Sequence, residues 1–191
     1  MGAELLARSF ASTRGVLANV RADQLTGAST PCASWDVRAL VNHIVGGTTY
    51  FAVIGETGSA PSEQPEVPEA AGPEELLAEF DDGAARAVRA FDAEGTAERT
   101  VHLPFGDLSG SAFVHIASVD TFTHGWDLAK ATGQPTHLAP DLAGELLEIA
   151  TGFLPDALRG PDGKAPFGPK VDPPAGASAA DQLAAFLGRT P

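Results

Sequence analysis

The sequence predicts an all-α fold: a four-helix bundle with short additional helices and at most one short strand pair. Apolar residues recur every three or four positions along four long segments, which is the spacing of helices with one buried side. Extended-chain signals are confined to the Thr-Val-His-Leu stretch at 100–103. Long amphipathic helices joined by loops of moderate length are typical of a bundle.

The first two helices are separated by a clear turn. The first, predicted over 3–21, carries Leu, Phe and Val on one side, and the turn at 26–34 contains Gly and Pro. Ser34 or Asp36 can cap the second helix, 37–54. A Gly-Gly pair inside that helix predicts a weak point, after which the apolar pattern resumes.

The third and fourth helices have their own start and stop signals. The Pro/Glu/Ser-rich stretch at 55–72 predicts an exposed loop. Pro73 suits the first position of a helix that runs to Phe91. The fourth helix begins at Ser111 and ends at Gly133, with a proline two residues further on as a stop signal.

The remainder of the chain predicts a fifth helix over 140–158 and a short last helix over 181–187. Between them, 160–177 is rich in Pro and Gly and predicts irregular structure. We therefore expect one domain over 1–191, in which about 160–191 is an irregular tail plus the short helix.

Composition excludes several classes of protein. The formal net charge is -13, so the surface would repel a phosphate backbone and we expect no nucleic-acid partner. No apolar run approaches the ~20 residues of a membrane span, and no secretory signal is recognised, so we expect a cytoplasmic protein without membrane contact. The single cysteine excludes an intramolecular disulfide and a Cys-rich zinc site.

Two polar residues interrupt the apolar side of the fourth helix. Asp120 and His124 lie at i and i+4, in register with Phe113, Ile116 and Leu128. A buried aspartate costs several kcal/mol unless a partner compensates it. Side chains at this spacing can reach one cation, or the histidine can simply pair with the aspartate, and spacing alone leaves both alternatives open.

His43 lies beside the apolar side of the second helix and offers a third ligand. Two imidazole nitrogens and one carboxylate oxygen suit a divalent metal, zinc first, with nickel or ferrous iron as alternatives. Three protein ligands leave a position for water or a substrate thiolate, as in catalytic rather than structural sites.

Three stretches carry a resemblance to a known family. They read Thr-Pro-Cys-Ala-Ser-Trp-Asp-Val-Arg-Ala-Leu-Val-Asn-His (30–43), Asp-Thr-Phe-Thr-His-Gly-Trp-Asp-Leu-Ala-Lys-Ala-Thr-Gly-Gln-Pro (120–135), and Phe-Gly-Pro-Lys-Val (167–171) with Asp-Gln-Leu-Ala-Ala-Phe-Leu-Gly-Arg (181–189). Together they resemble the DinB-like superfamily. The similarity is greatest to its actinobacterial branch around the metal-binding domain of mycothiol-dependent maleylpyruvate isomerase.

The resemblance implies a four-helix bundle that holds a metal between its second and later helices. It places His43 and His124 on the family's two metal histidines. Asp120 falls where the isomerase has a glutamate, so its side chain is one methylene shorter, which favours a shifted or weakly held metal.

The resemblance does not carry the isomerase activity over. The isomerase has an additional C-terminal domain that contributes to its active site, and we expect no room for one in 191 residues. What it implies is a metal-dependent enzyme with a small-molecule thiol and an electrophilic substrate as partners, of the transferase or isomerase type. The alternatives are a non-catalytic metal or ligand-binding module and a structural protein with a degenerate site. DinB-like proteins often pair through helices, so a homodimer fits the resemblance.

Other polar and aromatic residues have simpler interpretations. Cys32 precedes a helix start, and we interpret its role as structural or incidental rather than nucleophilic. Asp127 could support a metal histidine, but its position around the helix favours a surface or inter-helix bond. Trp35 and Trp126 are predicted to be packing residues, either of which could line a pocket.

Overall fold

Six α-helices and one hairpin make up the computed structural model, within the residues that it describes (2–63, 65–160, 164–165 and 167–191). The elements are α1 Gly2–Leu17, α2 Val37–Thr57, α3 Pro73–Asp92, β1 Thr100–Leu103, β2 Gly106–Ser109, α4 Gly110–Ala131, α5 Pro140–Phe153 and α6 Ala179–Phe186. The predicted all-α class with one short strand pair is confirmed.

Helix α2 is the single helix that the sequence predicts over 37–54, and it extends three residues further, to Thr57. It runs without a break through Gly46 and Gly47, both of which are buried. The local cost of glycine in a helix is about 1 kcal/mol, and packing of the flanking apolar residues offsets it. The Asp36 carboxylate accepts a hydrogen bond from the Ala39 amide and caps the start, and Gly58 ends the helix with φ 79°.

Two of the other predicted helices are shorter than the pattern suggested. Helix α1 ends at Leu17, and a short 3-10 helix occupies Ala22–Leu25. Helix α5 ends at Phe153, and Asp156–Leu158 form another 3-10 turn. Apolar spacing continues through such tight turns, so it extends the predicted helices beyond their true ends.

Helix α4 lies between two hydrophobic clusters. On one side it packs with α1, α2 and α3 around Leu6, Leu40 and Phe80. On the other side of α4, Phe122 packs against α5 and α6 in a cluster that includes Leu146. The last helix is therefore packed against the body of the protein, and residues of α4 that face away from the bundle are still buried.

The hairpin lies beside the helices. Strands β1 and β2 pair antiparallel, with Thr100 opposite Ser109 and Leu103 opposite Gly106. The amide of His102 donates to the Gly58 carbonyl, which ties the hairpin to the end of α2. None of the helices in the described part of the chain combines the length and apolar character that a membrane crossing requires.

Candidate functional site

Helices α2 and α4 bring the three predicted ligands together. The Nε2 atom of His43 lies 3.6 Å from Oδ2 of Asp120, and Nε2 of His124 lies 3.5 Å from Oδ1 of the same carboxylate. The two imidazole rings meet edge to face with centroids 4.7 Å apart. One donor atom from each of the three residues lies within 4.8 Å of the others, so one ion could contact all three.

The donor set fits a divalent metal. Ligand atoms held about 2.0–2.1 Å from a tetrahedral zinc lie roughly 3.3 Å apart, close to the spacings around Asp120. Nε2 of His43 is buried and has no hydrogen-bond partner among the described residues. A buried polar atom without a partner is costly, and a cation would satisfy it.

Asp127 is where the structure overturns the sequence interpretation. Its side chain is completely buried, and its Oδ2 lies 3.1 Å from Nδ1 of His124. It is therefore neither on the surface nor in an inter-helix bond, but supports the imidazole of a candidate ligand. The sequence signal was only the i+3 spacing, and the cover that buries Asp127 comes from distant parts of the chain.

That cover consists of Cys32 and Arg189. The guanidinium of Arg189 donates to both oxygens of Asp127, with Nη2 at 3.1 Å from Oδ2 and Nε at 3.3 Å from Oδ1. The Cys32 thiol lies 3.3 Å from Oδ2 of Asp127 and 4.0 Å from Nδ1 of His124. The sequence left the spatial neighbours of Cys32 open, and the structure places its thiol in contact with the site.

The group formed by Cys32, His124 and Asp127 also has metal-binding spacing, but a cation already occupies it. Nη2 of Arg189 lies 3.6 Å from the Cys32 sulfur as well as against the Asp127 carboxylate. The guanidinium supplies the positive charge that these donors would otherwise draw from a metal. Among the described residues, His43, Asp120 and His124 therefore remain the candidate metal ligands.

Charges in the site are strongly coupled. Burial opposes ionisation of Asp120, but His124 and His43 outweigh it and hold the pKa of this carboxyl well below its usual range. Burial likewise opposes a charge on His124, yet Asp120 and Asp127 hold its pKa well above the ordinary histidine value. Without a metal, the surroundings therefore favour a positive charge on His124 and a negative charge on Asp120.

The three residues line a pocket of about 640 Å³. The Trp35 ring forms part of its wall and packs against His43, with centroids 4.6 Å apart and planes tilted by 36°. Trp126 is buried instead, and its indole nitrogen donates to Asp181 over 2.8 Å. Of the two tryptophans, Trp35 therefore lines the pocket and Trp126 packs.

The fold and the three candidate ligands together define a DinB-like helical protein in which a group of residues suited to a metal faces a pocket. The family model described as the mycothiol maleylpyruvate isomerase N-terminal domain matches residues 6–129, and the chain belongs to that family. The match covers α1 to α4 and so includes every candidate metal ligand.

Related sequences and structures agree with this assignment. Uncharacterized proteins of Mycobacterium tuberculosis, from strains CDC 1551 / Oshkosh and ATCC 25618 / H37Rv, are 44% identical over 175 residues, spanning 92% of this chain and 90% of theirs. The crystal structure of the mycothiol-dependent maleylpyruvate isomerase aligns with TM-score 0.55 and 16% identity, over 76% of this chain and 68% of that one. A histidine-to-alanine mutant of that enzyme aligns with TM-score 0.51 and 16% identity, over 78% and 64%. At this identity the structural match supports the fold alone.

Proposed function

We propose that this protein is a divalent-metal-dependent enzyme that uses a low-molecular-weight thiol of the mycothiol type, as a transferase or isomerase. The proposal is carried by the buried Nε2 atom of His43, which has no hydrogen-bond partner among the described residues. Together with Asp120 and His124 it has the spacing of atoms that bind one metal ion. The chain belongs to a family whose description names mycothiol, and this supports mycothiol as the class of thiol. Zinc is the metal we expect first, since it favours two imidazoles and a carboxylate.

When bound, a divalent metal would lower the pKa of a thiol and so favour the thiolate at neutral pH. The protein's own residues prepare the site for that chemistry. An ionised Asp127 can only accept, so Nδ1 of His124 donates to it, and the Nε2 lone pair of the neutral ring is left for the cation. Trp35 packs on His43 and restricts rotation of that imidazole.

The pocket supports an enzyme over a closed binding module. Its volume of about 640 Å³ lies within the range of small-molecule sites, and Asp120 keeps 37% of its side chain exposed there. A ligand could therefore reach the candidate metal position. We also propose the cytoplasm as the place where such a thiol would be met.

Elemental analysis of protein purified without a chelating tag tests the metal site. We expect about one zinc per chain in the wild type and almost none in His43→Ala. His115→Ala is the matched control, since that histidine is exposed on α4 and outside the site. Equal metal in wild type and His43→Ala would overturn the assignment of the site.

A conjugation assay then tests the enzyme. Metal-loaded protein is mixed with mycothiol and an electrophile, and the thioether product is followed against the uncatalysed rate. Full metal occupancy with no acceleration would favour the alternative, a non-catalytic binding module. A protein that takes up no metal would favour a degenerate site, for which the direct approach of His124 to Asp120 at 3.5 Å is the supporting observation.

A further inference from the structure

Beyond the candidate metal ligands the pocket wall is mostly apolar, and its polar side chains are those of Cys32, Ser34, Thr123 and Arg189. The large apolar side chains come from the loop before α2, from α4, from the end of α5 and from the C-terminal segment. They are Trp35, Ile116, Val119, Phe153, Phe167 and Leu187. Such a wall favours apolar ligand surface by roughly 25 cal/mol per Å² removed from water.

A carboxylate in this pocket would need a cation, and the guanidinium of Arg189 is already engaged. It makes the two bonds to Asp127, and its Nη1 donates to the Leu187 carbonyl over 3.0 Å. Its side chain is only 12% exposed. Most of the five N–H donors of Arg189 therefore point at the protein, and the charges of Arg189 and Asp127 sum to zero.

Other charges at the pocket disfavour an anion as well. The Asp120 side chain is acidic, and it and the two imidazoles beside it are the candidate metal ligands. Among the described lining residues, neither lysine nor a second arginine is present. A metal ion would be the one positive charge open to a ligand, and the proposed function gives that position to the thiol sulfur.

We propose that the electrophile taken by this pocket is uncharged and apolar, and that carboxylate-bearing electrophiles are discriminated against. The proposal rests on the proposed function for the reaction, and on the paired Arg189 and the apolar wall for the choice of substrate. Among the described lining residues an anion would find hydroxyl groups but no free cation, so it would lose hydration without gaining a counter-charge, which costs more than the apolar contacts return.

Calorimetric titration of the zinc-loaded protein tests the discrimination without requiring turnover. The probes are dinitrobenzene and dinitrobenzoate, which share a ring and differ by one carboxylate. We expect dinitrobenzene to bind at least about tenfold more tightly. Equal or tighter binding of dinitrobenzoate would overturn the proposal.

A substitution of a pocket-lining residue tests whether the pocket itself discriminates between the two probes. Phe153→Lys introduces an unpaired cation at the end of α5, and Phe153→Leu is its matched apolar control. The Lys variant should shift the preference toward dinitrobenzoate by about tenfold, since it supplies the missing counter-charge. The Leu variant should keep the wild-type preference. An unchanged ratio in a folded Lys variant would place binding elsewhere and contradict the proposal.

Turnover separates this inference from the proposed function. With mycothiol and chlorodinitrobenzene, the thiol sulfur bonds to the ring carbon, chloride leaves, and the thiol proton passes to solvent. Chlorodinitrobenzoate reacts in the same way, and each rate is divided by its uncatalysed rate. Greater acceleration of the chlorodinitrobenzoate reaction would contradict the inference but not the proposed function. Preferential binding of dinitrobenzene without acceleration of either reaction would support the inference and count against the proposed function.

Discussion

The Asp127 carboxylate, fully buried on α4, accepts a hydrogen bond from Nδ1 of His124 over 3.1 Å. They lie three positions apart on one helix, with two residues between them, so the pair is rigid. The bond decides which imidazole nitrogen carries the proton, and it leaves Nε2 beside Asp120 at 3.5 Å. Such partners orient metal-binding histidines in many proteins.

Replacing Asp127 should therefore weaken metal binding although it is not a ligand. We expect Asp127→Asn to lower zinc affinity about 10- to 100-fold, because the amide no longer fixes the His124 tautomer. Competition with a chelating dye measures the change.

The same change leaves Arg189 buried without its counter-charge, which costs about 3–5 kcal/mol of folding stability. The double variant Asp127→Asn/Arg189→Met separates the two effects. It should recover much of the stability while zinc affinity stays low. Recovery of affinity along with stability would mean that Asp127 acts only through folding.

Gly125 permits the close approach of α1 to α4. A Cβ at this position would overlap Oγ1 of Thr13, whose hydroxyl donates to the Thr121 carbonyl over 2.8 Å. We expect Gly125→Ala to destabilise the protein by about 1–3 kcal/mol through overpacking. Urea unfolding followed by circular dichroism measures the loss.

Gly144→Ala is the matched control, because a Cβ on this α5 residue meets open space. It should stabilise the protein by about 0.5–1 kcal/mol, the cost of glycine within a helix. If both variants moved stability in the same direction, helix propensity rather than the α1–α4 contact would explain them.

Asp181 links α6 to Trp126 on α4. Burial raises the pKa of this carboxyl, but hydrogen bonds from Trp126 and Ser178 outweigh it and lower the pKa below the ordinary value. Because the pKa of this carboxyl is lower in the folded than in the unfolded protein, the carboxylate stabilises the fold at any pH above its pKa in the unfolded protein. That stabilisation is lost as the pH falls through its pKa in the folded protein. Asp181→Asn should therefore cost about 1 kcal/mol at neutral pH, since the site is partly solvated.

The difference between wild type and Asp181→Asn should narrow below about pH 4, where the wild-type carboxyl begins to protonate. Urea unfolding at a series of pH values measures it, with Asp172→Asn, an exposed position, as control. A gap that stays constant into acid would show that the charge of Asp181 contributes nothing.

Added zinc should stabilise the native protein. At a free concentration 100-fold above Kd the expected gain is about 2.7 kcal/mol. Thermal unfolding with zinc and with a chelator measures it, and His43→Ala should show little response. A response in the variant equal to that of the wild type would place the zinc on other groups.

Much of the fold followed from local patterns. Apolar spacing placed the helices, Pro73 and Asp36 marked starts, and the short Thr-Val-His-Leu strand was found. Lengths were less well predicted, because the apolar pattern does not distinguish an α-helix from the 3-10 turn that follows it. Helix α2 was predicted as one helix through its two glycines, and packing keeps it intact there despite their low propensity.

The sequence by itself determined the helical class and singled out His43, Asp120 and His124. Asp120 and His124 interrupt the apolar side of one helix and His43 lies beside that of another, and such polar groups stand out because a helix repeats every 3.6 residues. Only the tertiary structure decided that Asp127 supports His124 beneath Cys32 and Arg189, residues 95 and 62 positions away from it. No local periodicity records such contacts, since they arise when the loop before α2 and the segment after α6 pack against α4.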